Sequence, residues 1–570
     1  MERAMIVKVA DTIISPLGCS TEENYQAVKA GCSALREYRW SDLPEPFVAS
    51  LMEGERWKGN DVLTRFETLV IEAINNILPQ IDFDISSPRV IFVLSTTKGN
   101  VDLLEGRDGT PADSSPYPGE TARKIAAHFR NTNRPIVVSN ACISGLCAQI
   151  AAVRALESGR YDYAVVVGAD VQSRFIISGF QSFKALSPEP CKPFDANRLG
   201  LNLGEAAAAI VYQRVEKVQS GQWVAGTGAI CNDANHISGP SRTGEGSYRA
   251  LKTVLEDADV DDIAFVNVHG TATLYNDEME SIAIERAGLI DKPVNSLKGY
   301  YGQTMGAAGV MEVILSMRAV EDHTILGTKG FDSLGVSKNV KVSSEHRSTD
   351  KNSFIKLLSG FGGCNAAMLF TRSAGMSHPW KDIHVGISSQ IVITPDEAIL
   401  NGQNLSTTKQ GGALLTELYR EKINDYPKFF KMDLMSKLGF MGVECLLGKV
   451  REQEPSFTLD TEQAALIVAS RSASLKNDTD YQCTIRDKEN YFPSPSLFVY
   501  TLPNIVAGEI AIRHHLMGET ACYVLPEEQA LEPVIHSFVS TTKAHQLLVA
   551  WVECETAEKY NAHIRLLIKK

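Results

Sequence analysis

Val137-Val138-Ser139-Asn140-Ala141-Cys142-Ile143-Ser144-Gly145 is the stretch that decides the fold. A β-branched run ends a strand, a short polar turn follows, and a helix begins at the small residues beyond it. A cysteine at such a turn stands at a strand end with its sulfur toward a cleft. The helix N-terminus beside it supplies unpaired N–H groups and partial positive charge. Both favour thiolate over thiol, below the free value of about 8.5. The small neighbours Ala141, Ser144 and Gly145 allow close approach of a substrate backbone. This is the geometry of a nucleophile elbow, with Cys in place of Ser. On this string alone, a thiol packed as a small hydrophobe is the alternative.

Working outward, short apolar runs alternate with helical patterns. Arg89 to Ser95, Pro135 to Ser139 and Tyr163 to Gly168 predict buried strands. Glu120 to Phe129 and Leu146 to Ser158 predict helices between them. The alternation predicts an α/β fold with helices on the sheet faces. Three blocks are expected: 1–213, 214–373 and 380–570, with a turn-rich linker from Arg372 to Pro379. The last block echoes the first. Leu466 to Ser472 parallels Val90 to Thr96, Pro493 to His514 parallels Pro116 to Phe129, and Ala521 to Leu525 parallels Ile136 to Ser139. Where the first copy continues Asn140-Ala141-Cys142, the second reads Pro526-Glu527-Glu528, so the echo stops at the reactive position.

The bulk numbers exclude several functions. The 570 residues carry a net charge of −12, which argues against nucleic acid as the main partner. Runs such as Ala206 to Tyr212 fall far short of the roughly 20 residues of a spanning helix, so no membrane association is expected. The first residues lack a long apolar signal and run straight into a strand pattern, which predicts a cytoplasmic location. The 11 cysteines are an odd number without metal spacing and read as free thiols, with no metal site.

Three further strings accompany the nucleophile. Phe265 to Thr273 is a buried strand ending in His269-Gly270-Thr271-Ala272-Thr273, where an imidazole and two hydroxyls line a cleft. Ser296 to Glu312 contains Lys298, Gln303 and the small run Gly306-Ala307-Ala308-Gly309. Lys298 and Glu312 are candidates for a buried polar network; the alternative is a plain helix-packing motif. Gly360-Phe361-Gly362-Gly363-Cys364-Asn365 is a flexible loop able to offer N–H groups to an oxyanion.

In this order the four strings resemble the β-ketoacyl-acyl-carrier-protein synthases (ketosynthases) of fatty-acid and polyketide assembly, over about residues 1 to 373. Lys192-Pro193-Phe194-Asp195, Leu203-Gly204-Glu205 and Asp233-Ala234-Asn235-His236 extend the match. The resemblance implies a thiolase-like αβαβα five-layer fold of two pseudo-symmetric halves, with an additional C-terminal α/β half-domain. It implies a decarboxylative Claisen condensation, with Cys142 carrying the acyl group and an acyl-carrier protein as partner. By the same resemblance, His269 and Gln303 are catalytic. Cys142 and Phe361 form the oxyanion hole, and Phe361 gates the pocket. Thr271 and Thr273 bind the pantetheine arm, and Lys298 and Glu312 support the site. No cofactor is implied beyond the phosphopantetheine that carries the substrates.

The chain departs from the family at two places. Gln303 stands where elongating members have a second His; an amide keeps a neutral N–H donor but carries no charge. Leu199 and Leu201 replace the usual Asp and Phe, and Leu201 either reshapes the acyl pocket or simply repacks its wall. A non-elongating acyltransferase or thioester hydrolase, and a silent chain-length or scaffold subunit, are the alternative readings. The C-terminal block resembles the N-terminal half of the same family, most clearly over Leu502 to Arg513. A truncated half without its cysteine is similar to chain-length-factor partners. It is expected to act as a built-in partner in an intramolecular pseudo-dimer, or to support a homodimer.

Overall fold

The computed structural model describes residues 4–106, 114–372, 383–405 and 407–570. The expected linker lies outside these residues apart from Arg372. Each apolar run of the first block forms a strand: β1 (Met5–Ile14), β2 (Val90–Ser95), β3 (Ile136–Val138), β4 (Tyr163–Asp170) and β5 (Ala206–Val215). β3, β2 and β4 pair in parallel, and β5 and β1 add antiparallel, giving the order β3-β2-β4-β5-β1. Helix α1 (Arg65–Ile77) covers the outer face with α2 (Pro118–His128). Thr64 and Glu67 close a capping box at the start of α1, satisfying two of its free N–H groups.

The second half repeats the plan with β6 (Val224–Asn232), β7 (Ile263–Asn267), β8 (Pro293–Asn295), β9 (Ser353–Gly360) and β10 (Cys364–Thr371), ordered β6-β10-β9-β7-β8. Between the two sheets lie α3 (Ser144–Glu157) and α7 (Ala308–Glu321), the former buried along nearly its whole length. Outside are α5 (Glu245–Leu255) and α6 (Leu274–Arg286); α4 (Arg174–Ser182) sits in the long excursion between β4 and β5. The two middle helices touch through small residues. A methyl on Gly145 would lie 2.8 Å from the Gly306 carbonyl oxygen and 2.9 Å from Gly309 Cα.

The C-terminal block forms β11 (Val385–Ile393), β12 (Ala465–Ser470), β13 (Thr520–Val524), β14 (Gln546–Thr556) and β15 (Lys559–Lys569). Their order is β13-β12-β14-β15-β11, with the same parallel and antiparallel pairings as the first half. Its helices include α8 (Leu434–Gln453), α9 (Leu475–Ile485), α10 (Ile505–His514) and α11 (Leu531–Thr541). Two differences mark it as a half. β14 turns directly into β15, so there is no counterpart of the excursion that carries α4 and Leu201. And α11, in the position of α3, is amphipathic: Leu531, Val534, Ile535, Phe538 and Val539 are buried, while Glu532 and His536 are exposed. A polar outer face needs no second sheet over it.

The two parts join edge to edge. β13 pairs antiparallel with β3, Tyr523 opposite Val138 and Val524 opposite Val137, so the nucleophile strand is an interior strand of one extended sheet. Ser139 N donates to Cys522 O at 3.2 Å, just before the reactive turn. Beneath this seam, Arg154 grips Glu519 with two parallel bonds of 2.6 and 2.9 Å, both side chains about nine-tenths buried. Removing one partner of such a pair leaves an uncompensated buried charge. Glu519→Ala is therefore expected to cost about 3–5 kcal/mol in urea unfolding. The double change Arg154→Met with Glu519→Leu should recover most of it; a neutral single change would contradict the assignment.

Candidate functional site

The turn after β3 is strained where the sequence places the nucleophile. Ala141, with φ 49°, takes the left-handed conformation unfavourable to a Cβ-bearing residue, and Cys142 follows in a short 3₁₀ turn that leads into α3. Ala272 (φ 63°) and Met305 (φ 53°) do the same beside Thr271 and Gln303. Asn140 N donates to Ser144 Oγ at 2.7 Å, and Ser144 Oγ to Ala141 O at 2.6 Å, locking the turn. Cys142 is half-buried. Burial pushes its thiol up, against the opposing influence of the Gln303 side chain and the Lys298 charge. The lowering expected from the helix N-terminus is thus outweighed by desolvation, and the resting group is the thiol.

His269 and Gln303 are both buried. His269 N donates to Glu280 Oε1 and Gly270 N to Glu280 Oε2, each at 2.7 Å, so one carboxylate on α6 fixes the whole His-Gly turn. Burial drives the Glu280 carboxyl up to about 7. Among the described residues, the imidazole Nδ1 and both amide atoms of Gln303 make no hydrogen bond of normal geometry, although the Gln303 side chain lies close enough to act on the Cys142 thiol. Burial, then the charges of Lys298 and Lys356, hold the His269 ring well below its ordinary value, so it is neutral.

Lys298 pairs with Glu312, as the spacing suggested, and a third member joins them. Lys356 donates to Glu312 Oε2 at 2.5 Å, Asn267 Oδ1 at 2.6 Å and Val268 O at 3.1 Å. Burial lowers Lys356 to about 8, while the two ammonium groups outweigh burial to keep Glu312 ionised. A lysine in the otherwise apolar strand Ser353-Phe354-Ile355-Lys356-Leu357-Leu358 is the sequence signal for this buried cation. Asp170, also missed, gathers Thr96 Oγ1 (2.7 Å), Thr97 Oγ1 (2.9 Å) and Gly306 N (2.7 Å), tying the loop after β2 to the turn below Gln303.

The Gly-Phe-Gly-Gly loop lies on the nucleophile. A methyl on Gly360 would stand 3.2 Å from Cys142 N, so glycine sets this approach. Asp233 anchors the loop through its N–H to Gly363 O (2.7 Å) and its carboxylate to Asn365 Nδ2 (3.2 Å). Asn504, from the C-terminal block, donates to Phe361 O at 2.7 Å. Thr271 and Thr273 face each other at 3.0 Å between their hydroxyls. Leu201 is buried in a cluster with Phe175, Ile176, Phe180, Met305, Tyr481 and Phe498. A crevice of about 1190 Å³ is lined by Arg154, Arg249, Glu519 and Lys543 and not by Cys142 or His269.

A cysteine elbow, a neutral buried imidazole, an orphaned amide and a glycine loop between two like α/β halves define an acyl-transferring enzyme of the thiolase-like class. The comparisons give its family. Residues 98–218 match the β-ketoacyl synthase N-terminal domain and residues 223–332 its C-terminal domain. The 3-oxoacyl-[acyl-carrier-protein] synthase 2 of Rhizobium meliloti (strain 1021) is 30% identical over 423 residues, covering 65% of this chain and 99% of that protein. The putative polyketide β-ketoacyl synthase 1 of Streptomyces cyaneus is 31% identical over 275 residues, 45% of this chain and 65% of that protein. The ketosynthase ApeO, solved with its chain length factor ApeC from Xenorhabdus doucetiae, superposes with a TM-score of 0.57 at 25% identity, covering 64% of this chain and 98% of that one. The PfaC keto synthase–chain length factor covers 100% of this chain and 78% of its own, with a TM-score of 0.76 at 14% identity, a likeness of fold. The chain belongs to the β-ketoacyl synthase family. It is an enzyme of the Claisen-condensing type found in fatty-acid and polyketide assembly.

The raised thiol has a measurable consequence. Alkylation of Cys142 by iodoacetamide, followed by mass spectrometry, should keep accelerating above about pH 8.5, because the reactive thiolate forms late. Gln303→Leu should move the profile further up. A plateau below about pH 7 would contradict the burial-dominated account.

Proposed function

We propose that Cys142 carries the acyl chain through a ping-pong condensation in which His269 and Gln303 together stabilise a malonyl-derived enolate. The observation that carries this reading is the pair of buried side chains without partners, His269 Nδ1 and the Gln303 amide. A buried polar group left unpaired costs about 1–3 kcal/mol, which a thioester oxygen bound between them would offset.

In the first half-reaction the Cys142 sulfur attacks an acyl thioester. The acyl–sulfur bond to the pantetheine breaks, and the cysteine proton ends on the departing thiol. In the second, a malonyl thioester loses carbon dioxide. Its enolate carbon attacks the Cys142 thioester, a carbon–carbon bond forms, and the sulfur leaves and regains a proton. Negative charge passes to the enolate oxygen, facing His269 and Gln303, and then to the tetrahedral oxygen, facing the N–H groups of Cys142 and Phe361. With Lys298 and Lys356 suppressing the imidazolium, His269 serves as a neutral donor. Gln303 then loses little against a second neutral imidazole, since each can point an uncharged N–H at the oxygen.

The acyl groups arrive on an acyl-carrier protein, as the name of the Rhizobium relative supports, with Thr271 and Thr273 receiving the pantetheine arm. The reaction runs in the cytoplasm, in keeping with 11 unpaired cysteines. The C-terminal half-domain acts as a built-in partner that bounds the acyl chain. Phe498 supports this: its ring packs among Phe175, Phe180 and Phe183 of the first block, and a methyl on Gly179 would fall 2.1 Å from it.

Carbon dioxide release from a malonyl-carrier thioester tests the condensation. The unaltered chain is expected to release it. Gln303→Ala should slow that release by about 10²–10³-fold while leaving Cys142 acylation measurable by intact mass. Acylation without any decarboxylation would instead mark a plain acyltransferase or hydrolase. Phe498→Ala should lengthen the products; an unchanged product length would remove Phe498 from the chain-length wall.

A further inference from the structure

The seam between α4 and the C-terminal block holds one cation too many. Lys98, buried after β2, is matched by Asp478 of α9 at 2.8 Å and lies 5.2 Å from the Phe175 ring. Arg174, on the other side of Phe175 in sequence, has no such match. It is 7% exposed, its Nε and Nη2 are buried without a partner, and no carboxylate among the described residues is in ion-pair range. Its guanidinium stands 5.5 Å from the Tyr491 ring. Nearby, the Tyr481 hydroxyl and Gln482 Oε1 of α9 are buried and likewise unpartnered. Glu105 accepts from Phe175 N at 3.1 Å, and Asp42 and Glu45 act on Tyr491 through space. An unpaired buried guanidinium is costly, and its planar fork fits a carboxylate with two parallel bonds.

This group is joined to the reaction site. Phe175, Leu201, Met305, Tyr481 and Phe498 form one continuous apolar cluster, with Tyr491 packed against it. Leu201 and Met305 each lie two residues from the Leu203–Gln303 bridge, and Arg174 lies at the seam, beside Tyr491. We propose that Arg174, with the Tyr481 hydroxyl, receives an anionic terminus of the acyl chain, so that the enzyme favours acyl groups ending in a carboxylate over those ending in a methyl. This rests on Cys142 being the acyl-carrying nucleophile. The chain is fixed at one end by the thioester and at the other by the guanidinium, and no bond changes at the far end.

The test offers the full-length chain a length series of saturated acyl-pantetheine thioesters, each with a methyl and with an ω-carboxylate terminus. Acylation of Cys142 is followed by intact mass. At the best-fitting length the carboxylate form should react roughly tenfold or more faster, the worth of one charge-assisted bond. Arg174→Met should abolish or reverse that preference while leaving acetyl transfer unchanged, and should raise the thermal midpoint by removing an uncompensated charge. Arg174→Lys should keep part of the preference. Equal rates for both termini, or a preference indifferent to Arg174, would overturn the proposal. Failure of every thioester would refute the role of Cys142 instead. A free dicarboxylic acid still decides in that case: it should stabilise the unaltered chain against heat but not Arg174→Met, and equal effects on both would overturn the proposal.

Discussion

The antiparallel pairing of β13 with β3 is the constraint on which the rest depends. A three-residue strand is too short to hold a strained turn by itself. As an interior strand, with β2 on one side and β13 on the other, it becomes a fixed platform. Ala141 is then held in its left-handed conformation and Cys142 presented in the cleft. The same seam brings Asn504 to the Phe361 carbonyl and Arg154 to Glu519. The C-terminal block therefore packs directly against the Cys142 turn and the Phe361 loop, although it carries no equivalent of Cys142.

The electrostatics of the site follow from burial. Four ionisable groups, Glu280, Lys298, Glu312 and Lys356, are buried around His269 and its neighbours. Two lysines share one carboxylate, and burial, then the charges of those two lysines, keeps the neighbouring imidazole neutral. A neutral His269 makes an amide at 303 a chemically coherent companion. Burial likewise pushes the Cys142 thiol up.

Much of the fold was legible in the sequence. The strand-turn-helix at Cys142, the small residues at Gly306 to Gly309 and the repeat of the strand pattern after residue 380 each rest on local chemistry: strand patterning, turn residues and close helix packing. What was not legible came from distant pairings. Glu280 sits on an ordinary acidic helix, and only the three-dimensional path brings it under the His-Gly turn. Asp170 ends a strand like many others. Lys356 left a trace, a lone charge in an apolar strand, but nothing in the chain named its partner. Arg174 reads as a surface residue until α9 closes over it. The sign of the Cys142 shift was misjudged for a related reason, since helix ends are visible in sequence and desolvation is not.

The central claim is that one chain, with its own C-terminal half-domain occupying the β3 edge, forms the working site. The most direct measurement is native mass spectrometry of the full-length protein during reaction with an acyl thioester. The account predicts that the species with the mass of a single chain gains one acyl group, and that Cys142→Ala removes it. A single-chain species that stays unmodified, while only a two-chain assembly is acylated, would contradict it.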